Sequence, residues 1–534
     1  MACAARNISC GHGVVLGMVP GGTVEFGSSD KGANFAMVMV DERQTTGADE
    51  RPMILLRRVV GAIVLAMAAL MALRGAYYCW TALTILRWPF EIHGGESTML
   101  HESQLMDANF LGSLREIYGP ERADRFTAGN YPPIYLILWA LDPGASSYIT
   151  GRALALLGGI AAAVAGGVAV AFTVEGGRAW RIGIGALGGG AFLCTVPVFQ
   201  QISNAKPDMT AIAFAAFGLA AYAIWPDRRG AILAGFCCAL AGLTKQSTGF
   251  ATLAILIAAT RQGWRVGLAF LVACGATVLA VLGSLWAIVG PTLYEHLIIY
   301  NMRHWRQDRF ITLNGKFIDQ HWPLLLAAIL YTVWAVWSRP RSPLSYFPLT
   351  AAIVMGMVGS DGAARNYYVE LCLALGLAAA LGVGTFLRAR RPLATTLGTA
   401  ALLLVGIHLF RAYTLFIIGL YVPTLPLNEK DPNPTLRQVD AAADPVLIFA
   451  DDPGYLVMRG RPVVIDDPFL ASLMIREGHW NQDEMVANIK ARRYTLILAV
   501  ETTDEELRAS WGNEIMDAVL ANYESYGDGF LPKK

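Results

Sequence analysis

From Val59 to about Tyr421 the chain repeats one pattern: an apolar stretch, then charge, Gly or Pro, then another apolar stretch. A helix rises about 1.5 Å per residue, so roughly 20 apolar residues cross the approximately 30 Å hydrocarbon core of a bilayer. Lipid offers the backbone no hydrogen-bond partners, which confines such stretches to helices. About eleven spans are predicted, over 59–80, 149–173, 180–199, 208–225, 230–244, 247–260, 266–289, 322–338, 344–359, 366–387 and 394–420. Composition agrees, since only 16% of residues are charged against about a quarter in soluble domains. The net charge of +1 gives no basic field for nucleic acid or an acidic polymer. None of the eight cysteines has CxxC spacing and none follows Cys372, so neither a disulfide framework nor a zinc site is expected.

Arginines orient the spans. Arg57 and Arg58, Arg178 and Arg181, Arg228 and Arg229, Arg261 and Arg265, Arg339 and Arg341, and Arg388, Arg390 and Arg391 fall in every second connection, as cytoplasmic loops require. Residues 87–148, 200–207, 290–321 and 360–365, and everything after about 421, are then expected outside. The stretches flanking Lys245 are short, so a hairpin of short helices is expected to carry Lys245 to the outer side. Residues 1–52 read as a disordered cytoplasmic tail, or as a segment upstream of a start at Met53. Residues 53–420 read as the membrane domain and 421–534 as a small α/β domain outside the membrane. In the latter VLIFA, RPVVI and YTLILAV are predicted strands, with helices around 468–491 and 503–521.

Candidate chemistry collects in the outer connections. The first begins with Glu91, Glu96 and Glu102, shows helical periodicity from Ser97 to Leu114, and returns at Tyr131-Pro132-Pro133. A carboxylate at the membrane surface can take the proton of an attacking sugar hydroxyl. Glu96 is the first choice because Gly94 and Gly95 let backbone and substrate approach closely; a solvated loop acid is the plainer alternative. Lys206 and Asp208 stand at the mouth of the fourth span, where Asp208 equally suits a helix N-terminus. Lys245 and Gln246 interrupt about 30 apolar residues, and a lysine there needs a partner or a polar cavity. A lipid phosphate is the natural ligand for its ammonium, with snorkelling to the interface as the alternative. Arg365, Asn366, Tyr367 and Glu370 follow in SDGAARNYYVE, where the arginine suits phosphate and its neighbours a sugar ring. Tyr294–Phe310 is amphipathic and basic and is expected to lie on the membrane, either gating the lipid donor or as an ordinary interfacial anchor; Arg74 is given no role. The sequence has no GxxxxGK[ST], GxGxxG after a strand or HExxH.

In order, EIHGGES, YPPIY, a span opening at Arg152, AKPDM, LTKQS and NYYVE resemble the GT-C superfamily of polyprenyl-phosphate-sugar-dependent glycosyltransferases. The likeness is to the bacterial protein-mannosyltransferase and aminoarabinose-transferase-like branch, over residues 55–420. The resemblance implies a GT-C-like α-helical membrane domain, with the base at Glu96 or Glu91 and a second acid at Asp208. Several members carry Asp-Glu where this chain has Gly95-Glu96. Lys245, Arg365 and Lys206 would bind the donor phosphate, and His93, Tyr131, Gln246, Asn366 and Tyr367 the substrates. The implied partners are a polyprenyl-phosphate sugar donor, a glycan, lipid or protein acceptor, and the bilayer, in a bacterial inner membrane with the site facing outward. No cofactor is required; a divalent cation near the acids is compatible, though no ligand spacing demands one. A transporter or flippase for a lipid-linked sugar would also hold an intramembrane lysine, but it predicts broken helices in matched halves. A noncatalytic assembly protein would tolerate replacement of the loop acids.

Overall fold

The computed structural model describes residues 50–92, 94–108, 110–142, 147–389, 391–417, 433–450, 452–499 and 503–534. The expected tail up to residue 49, His93 and the linker at 421–432 lie outside the described residues. Residues 57–534 form one compact unit.

Helices occupy all eleven predicted positions, but they differ in length. Six are long and apolar enough to cross a membrane: those containing Arg58–Ile85, Ile149–Thr173, Trp264–Val289, Gln307–Ser338, Arg365–Phe386 and Pro392–Thr414. The protein is thus a multi-pass membrane protein. Arg178–Leu193, Asp208–Ile224, Arg228–Thr244 and Phe250–Gln262 run 16, 17, 17 and 13 residues, shorter than the roughly 20 a full crossing needs. The predicted third span breaks after Leu193 and resumes as Val196–Gln201. Pro197 in that first helical turn lacks the N–H that would continue the ladder. The predicted ninth span is two short pieces, Phe347–Ala351 and Val354–Met357. The eighth begins at Gln307, well before the expected 322, because its charged first turns run on above the apolar segment.

The centre of the bundle is Val369–Phe386, whose span is 94% buried, whereas that of Trp264–Val289 is 11% buried and turns its apolar face outward. The helices beside the centre meet through small residues. A Cβ on Gly189 would lie 2.4 Å from the Ala163 carbonyl oxygen, and one on Gly185 2.5 Å from that of Gly167. Such close backbone approach is the usual basis of helix association in lipid, where burying apolar surface gains little.

The first long connection folds as helices Glu96–Ala108 and Phe110–Tyr118, then returns through Ile134–Trp139. The C-terminal part is a small α/β domain. Strands β1 (Val446–Ala450), β2 (Leu496–Ala499), β3 (Tyr523–Tyr526) and β4 (Gly529–Pro532) form one sheet in the order β1-β2-β4-β3. The β1–β2 pairing is parallel and the other two are antiparallel. RPVVI is not a sheet strand. Ile465 instead makes an isolated bridge to Phe126, with Phe126 N–H donating to the Val464 carbonyl at 2.9 Å. Its backbone partner is therefore the first membrane-domain loop. The β3–β4 hairpin, turning at Gly527 with φ 54°, was not anticipated.

If the glycine contacts set the helix spacing, Gly189→Val forces a side chain against a carbonyl and should destabilise the protein by about 1–3 kcal/mol. Thermal unfolding in lipid nanodiscs checks this; an unchanged midpoint would show that these helices do not rely on that contact.

Candidate functional site

The apolar helices end in loops that, together with the C-terminal domain, enclose a cavity of about 670 Å³, within the 300–1,000 Å³ typical of ligand sites. Seven of the eleven expected residues line it: Glu91, Tyr131, Lys206, Lys245, Gln246, Asn366 and Tyr367. They come from four separate connections at the same end of the helices. Glu96 and Asp208 pack behind the wall, Arg365 is half-buried and outside the lining, and His93 is not among the described residues.

Glu96 opens the helix Glu96–Ala108 and is fully buried. Its Oε1 accepts from the Ala205 amide at 2.5 Å and Arg152 Nε at 3.2 Å; its Oε2 accepts from the Ile92 amide at 2.7 Å and Arg152 Nη2 at 2.9 Å. Arg152, 1% exposed, also donates to the carbonyls of Ile85, Trp88 and Phe90. Both residues are therefore saturated, and together they tie the end of the first span to the second helix and to the Ala205–Lys206 turn.

Glu91 sits in the segment this pair fixes and faces the cavity. Its Oε1 accepts from the Glu96 amide at 3.0 Å and its Oε2 from the Ser97 hydroxyl at 2.7 Å. Burial first, then the charge of Asp452, raises its proton affinity well above that of an ordinary carboxyl.

The cations lie around it. The Lys206 ammonium donates to the Gly94 carbonyl, and its methylene end lies 3.7 Å from where a Gly95 side chain would begin. Gly95 has φ +94°, so glycine serves both the backbone and the lysine there. Lys245 caps the helix Arg228–Thr244, forms a buried ion pair with Asp208, and lies 5.9 Å and 5.5 Å from the ring centres of Tyr131 and Tyr367. Asn366 Nδ2 donates to Asp208 at 3.1 Å. Gln246 and Asn301 both donate to the Asn130 carbonyl, at 2.7 and 3.0 Å, closing the floor.

Arg303, Asp466, Asp467, Phe469 and Trp511 also line the cavity and were not singled out as site residues. Arg303 lies 5.6 Å over the Phe469 ring. Asp466 accepts from the Ala128 amide at 2.9 Å and contacts His101 Nδ1 at 3.3 Å, while Asp467 caps the helix Pro468–Arg476. Burial raises the proton affinity of Asp467. A signal was present: Asp-Asp-Pro follows an apolar run twice, at 451–453 and 466–468. Among the described residues no three His, Cys, Asp or Glu side chains are grouped so as to hold a metal ion.

The structure is similar to ArnT from Cupriavidus metallidurans in the apo state, with TM-score 0.51 and 14% identity over 83% of this chain and 92% of that one. The undecaprenyl phosphate-bound form of the same protein gives 0.52 and 15%, over 79% and 90%. The apo Archaeoglobus fulgidus oligosaccharyltransferase gives 0.51 and 12%, over 89% and 74%. No family model and no curated sequence matches the chain.

Removing one partner of a buried ion pair strands the other, at a cost of about 3–5 kcal/mol. Arg152→Met and Glu96→Gln should each lower the unfolding midpoint steeply, while the double substitution should cost less than their sum; strict additivity would show that the two side chains are not coupled. What these helices, loops and neighbours establish together is the architecture: the chain shares the fold of ArnT and of the archaeal oligosaccharyltransferase.

Proposed function

We propose that the protein is a membrane glycosyltransferase that moves a monosaccharide from a polyprenyl-phosphate donor to a glycan, lipid or protein acceptor. One observation carries the reading: a carboxyl at Glu91 and cations at Lys206, Lys245 and Arg303 face one cavity at the loop ends of apolar helices. A lipid-linked sugar phosphate needs that pairing, with its tail among helices, its phosphate by cations and its sugar beside an acid. The fold shared with a protein crystallised with undecaprenyl phosphate supports the donor class.

In this reading Glu91, rather than Glu96, takes the proton. All four acceptor positions of Glu96 are engaged, and giving one up would unpair buried Arg152. The acceptor hydroxyl attacks the anomeric carbon and a new C–O bond forms as its proton passes to Glu91. The bond from that carbon to the phosphate oxygen breaks, and its electron pair leaves with polyprenyl phosphate. Lys206, Lys245 and Arg303 stabilise the charge arriving on that phosphate. Asp208 holds Lys245 in place, and Tyr131, Gln246, Asn366 and Tyr367 bound the sugar. Arg365, one residue before Asn366, supports the phosphate from the rim. The alternating arginines support a site on the outer face of a bacterial inner membrane.

The test is consumption of a panel of polyprenyl-phosphate monosaccharides by purified protein in lipid. Glu91→Gln should reduce turnover by about 10²-fold or more. Asp208→Asn/Lys245→Gln, which removes both charges of the buried pair without stranding either, should fold and yet lose donor turnover at least about tenfold, as expected for a lost phosphate contact. Undiminished turnover in both variants would refute the proposed chemistry.

A further inference from the structure

Glu91 is held by its neighbours Glu96 and Ser97 and by a part of the chain 361 positions away. Its own amide donates to Asp452 Oδ2 at 3.0 Å, which brings the Asp452 carboxyl beside Glu91. Two buried carboxyls brought this close repel when both are ionised, which favours one proton between them. Asp452 is 8% exposed and is itself fixed: its Oδ1 accepts from the Gly454 amide at 2.7 Å and from the Tyr148 hydroxyl at 3.3 Å. The Tyr148 ring in turn lies 4.7 Å beneath the Arg152 guanidinium. The C-terminal domain thus reaches into the membrane domain at the residue read above as the proton acceptor.

We propose that Asp452 is a positioning residue for Glu91, and that the two carboxyls hold one proton between them, so the C-terminal domain completes the reacting base, which works once that proton is lost. The catalytic consequence rests on the reading of Glu91 as proton acceptor; the pair itself does not. Other groups around Glu91 do not replace Asp452. Glu96 adds negative charge but is neutralised by Arg152; Ser97 donates to Glu91 and favours its anion; the Lys206 ammonium is bound to the Gly94 carbonyl. Asp452 is therefore the charged group that most strongly favours the proton, after burial itself.

The sign of the effect follows. Glu91 binds its proton more tightly folded than unfolded, so its contribution to stability is complete below the unfolded value of about 4.3. That contribution is lost as pH rises through the raised folded value. Glu102, Glu121 and Asp467 are also raised by burial, so differences between variants isolate the pair.

The experiment measures unfolding midpoints against pH for full-length wild type, Glu91→Gln, Asp452→Asn and the double variant in nanodiscs. Each single substitution should flatten the fall with rising pH, and the double should flatten it no further. Additive flattening would overturn the shared proton. In the same set, the acidic limb of kcat/KM for the donor should move down by about one pH unit or more in Asp452→Asn, a tenfold loss of proton affinity. Tyr148→Phe, which withdraws a donor from the Asp452 anion, should move that limb upward. A loss of rate with both limbs unmoved would overturn the positioning role and leave Asp452 merely structural. Full turnover in Glu91→Gln would sink the catalytic reading alone, since non-additive midpoints would still establish the pair.

Discussion

The ion pair between Glu96 and Arg152 is the constraint on which the site depends. Its two ends contribute seven hydrogen bonds to one buried knot, five from the guanidinium and two more from the amides of Ile92 and Ala205. Desolvating two charges is repaid only when nearly every donor and acceptor finds a partner, which is the case here. The pair gains from that saturation what a loop of 60 residues lacks by itself, namely one defined path off the end of the first span. Glu91 stands between the carbonyls Arg152 binds and the helix Glu96 opens, so its position is a consequence of the knot. Lys206 follows Ala205 and is placed by the same bond.

The cavity is built from two kinds of wall. The loops of the membrane domain contribute Lys206, Lys245 and Arg303, and the C-terminal domain contributes Asp466, Asp467, Phe469 and Trp511. Each wall would be costly without the other. The buried acids gain protons unless donors or cations approach them, and the cations need countercharge at the edge of an apolar bundle. Bringing the walls together gives a polar chamber beside lipid with an asymmetric field, cationic toward the helices and acidic toward the domain.

Much of the fold was legible because its code is local. Twenty apolar residues between arginines specify a membrane helix regardless of what surrounds it, and Ile149–Thr173 falls where hydropathy placed it. Where the outcome depends on distant partners the sequence said less. RPVVI has strand composition, but its partner is Phe126 in a loop over 300 positions earlier, so it left the sheet. The break before Val196–Gln201 is local, yet Pro197 early in a segment reads equally as a helix start or a helix stop. Lys245, Gln246, Asn366 and Tyr367 were visible because polar residues in apolar surroundings stand out. Glu96 and Glu91 stood out together, and nothing in their spacing shows which one Arg152 would saturate.

The C-terminal residues were harder to see for a physical reason. Asp452 and Asp466 lie in an ordinary soluble composition, where an Asp-Asp-Pro run reads as turn chemistry. Their significance comes from where β1 ends: the strand runs toward the membrane domain, and the chain must turn at Asp452-Pro453 within reach of Tyr148 and the Glu91 amide. The second Asp-Asp-Pro turn repeats this at Phe126 and Ala128. Both turns deliver a carboxylate to a backbone amide of the first membrane-domain loop, so the loop is clamped at each end by the same chemical device. A domain attached this way does more than shield the cavity. Its two aspartates satisfy amides that the loop cannot satisfy within itself, and the geometry of Glu91 is therefore shared property of both halves of the chain.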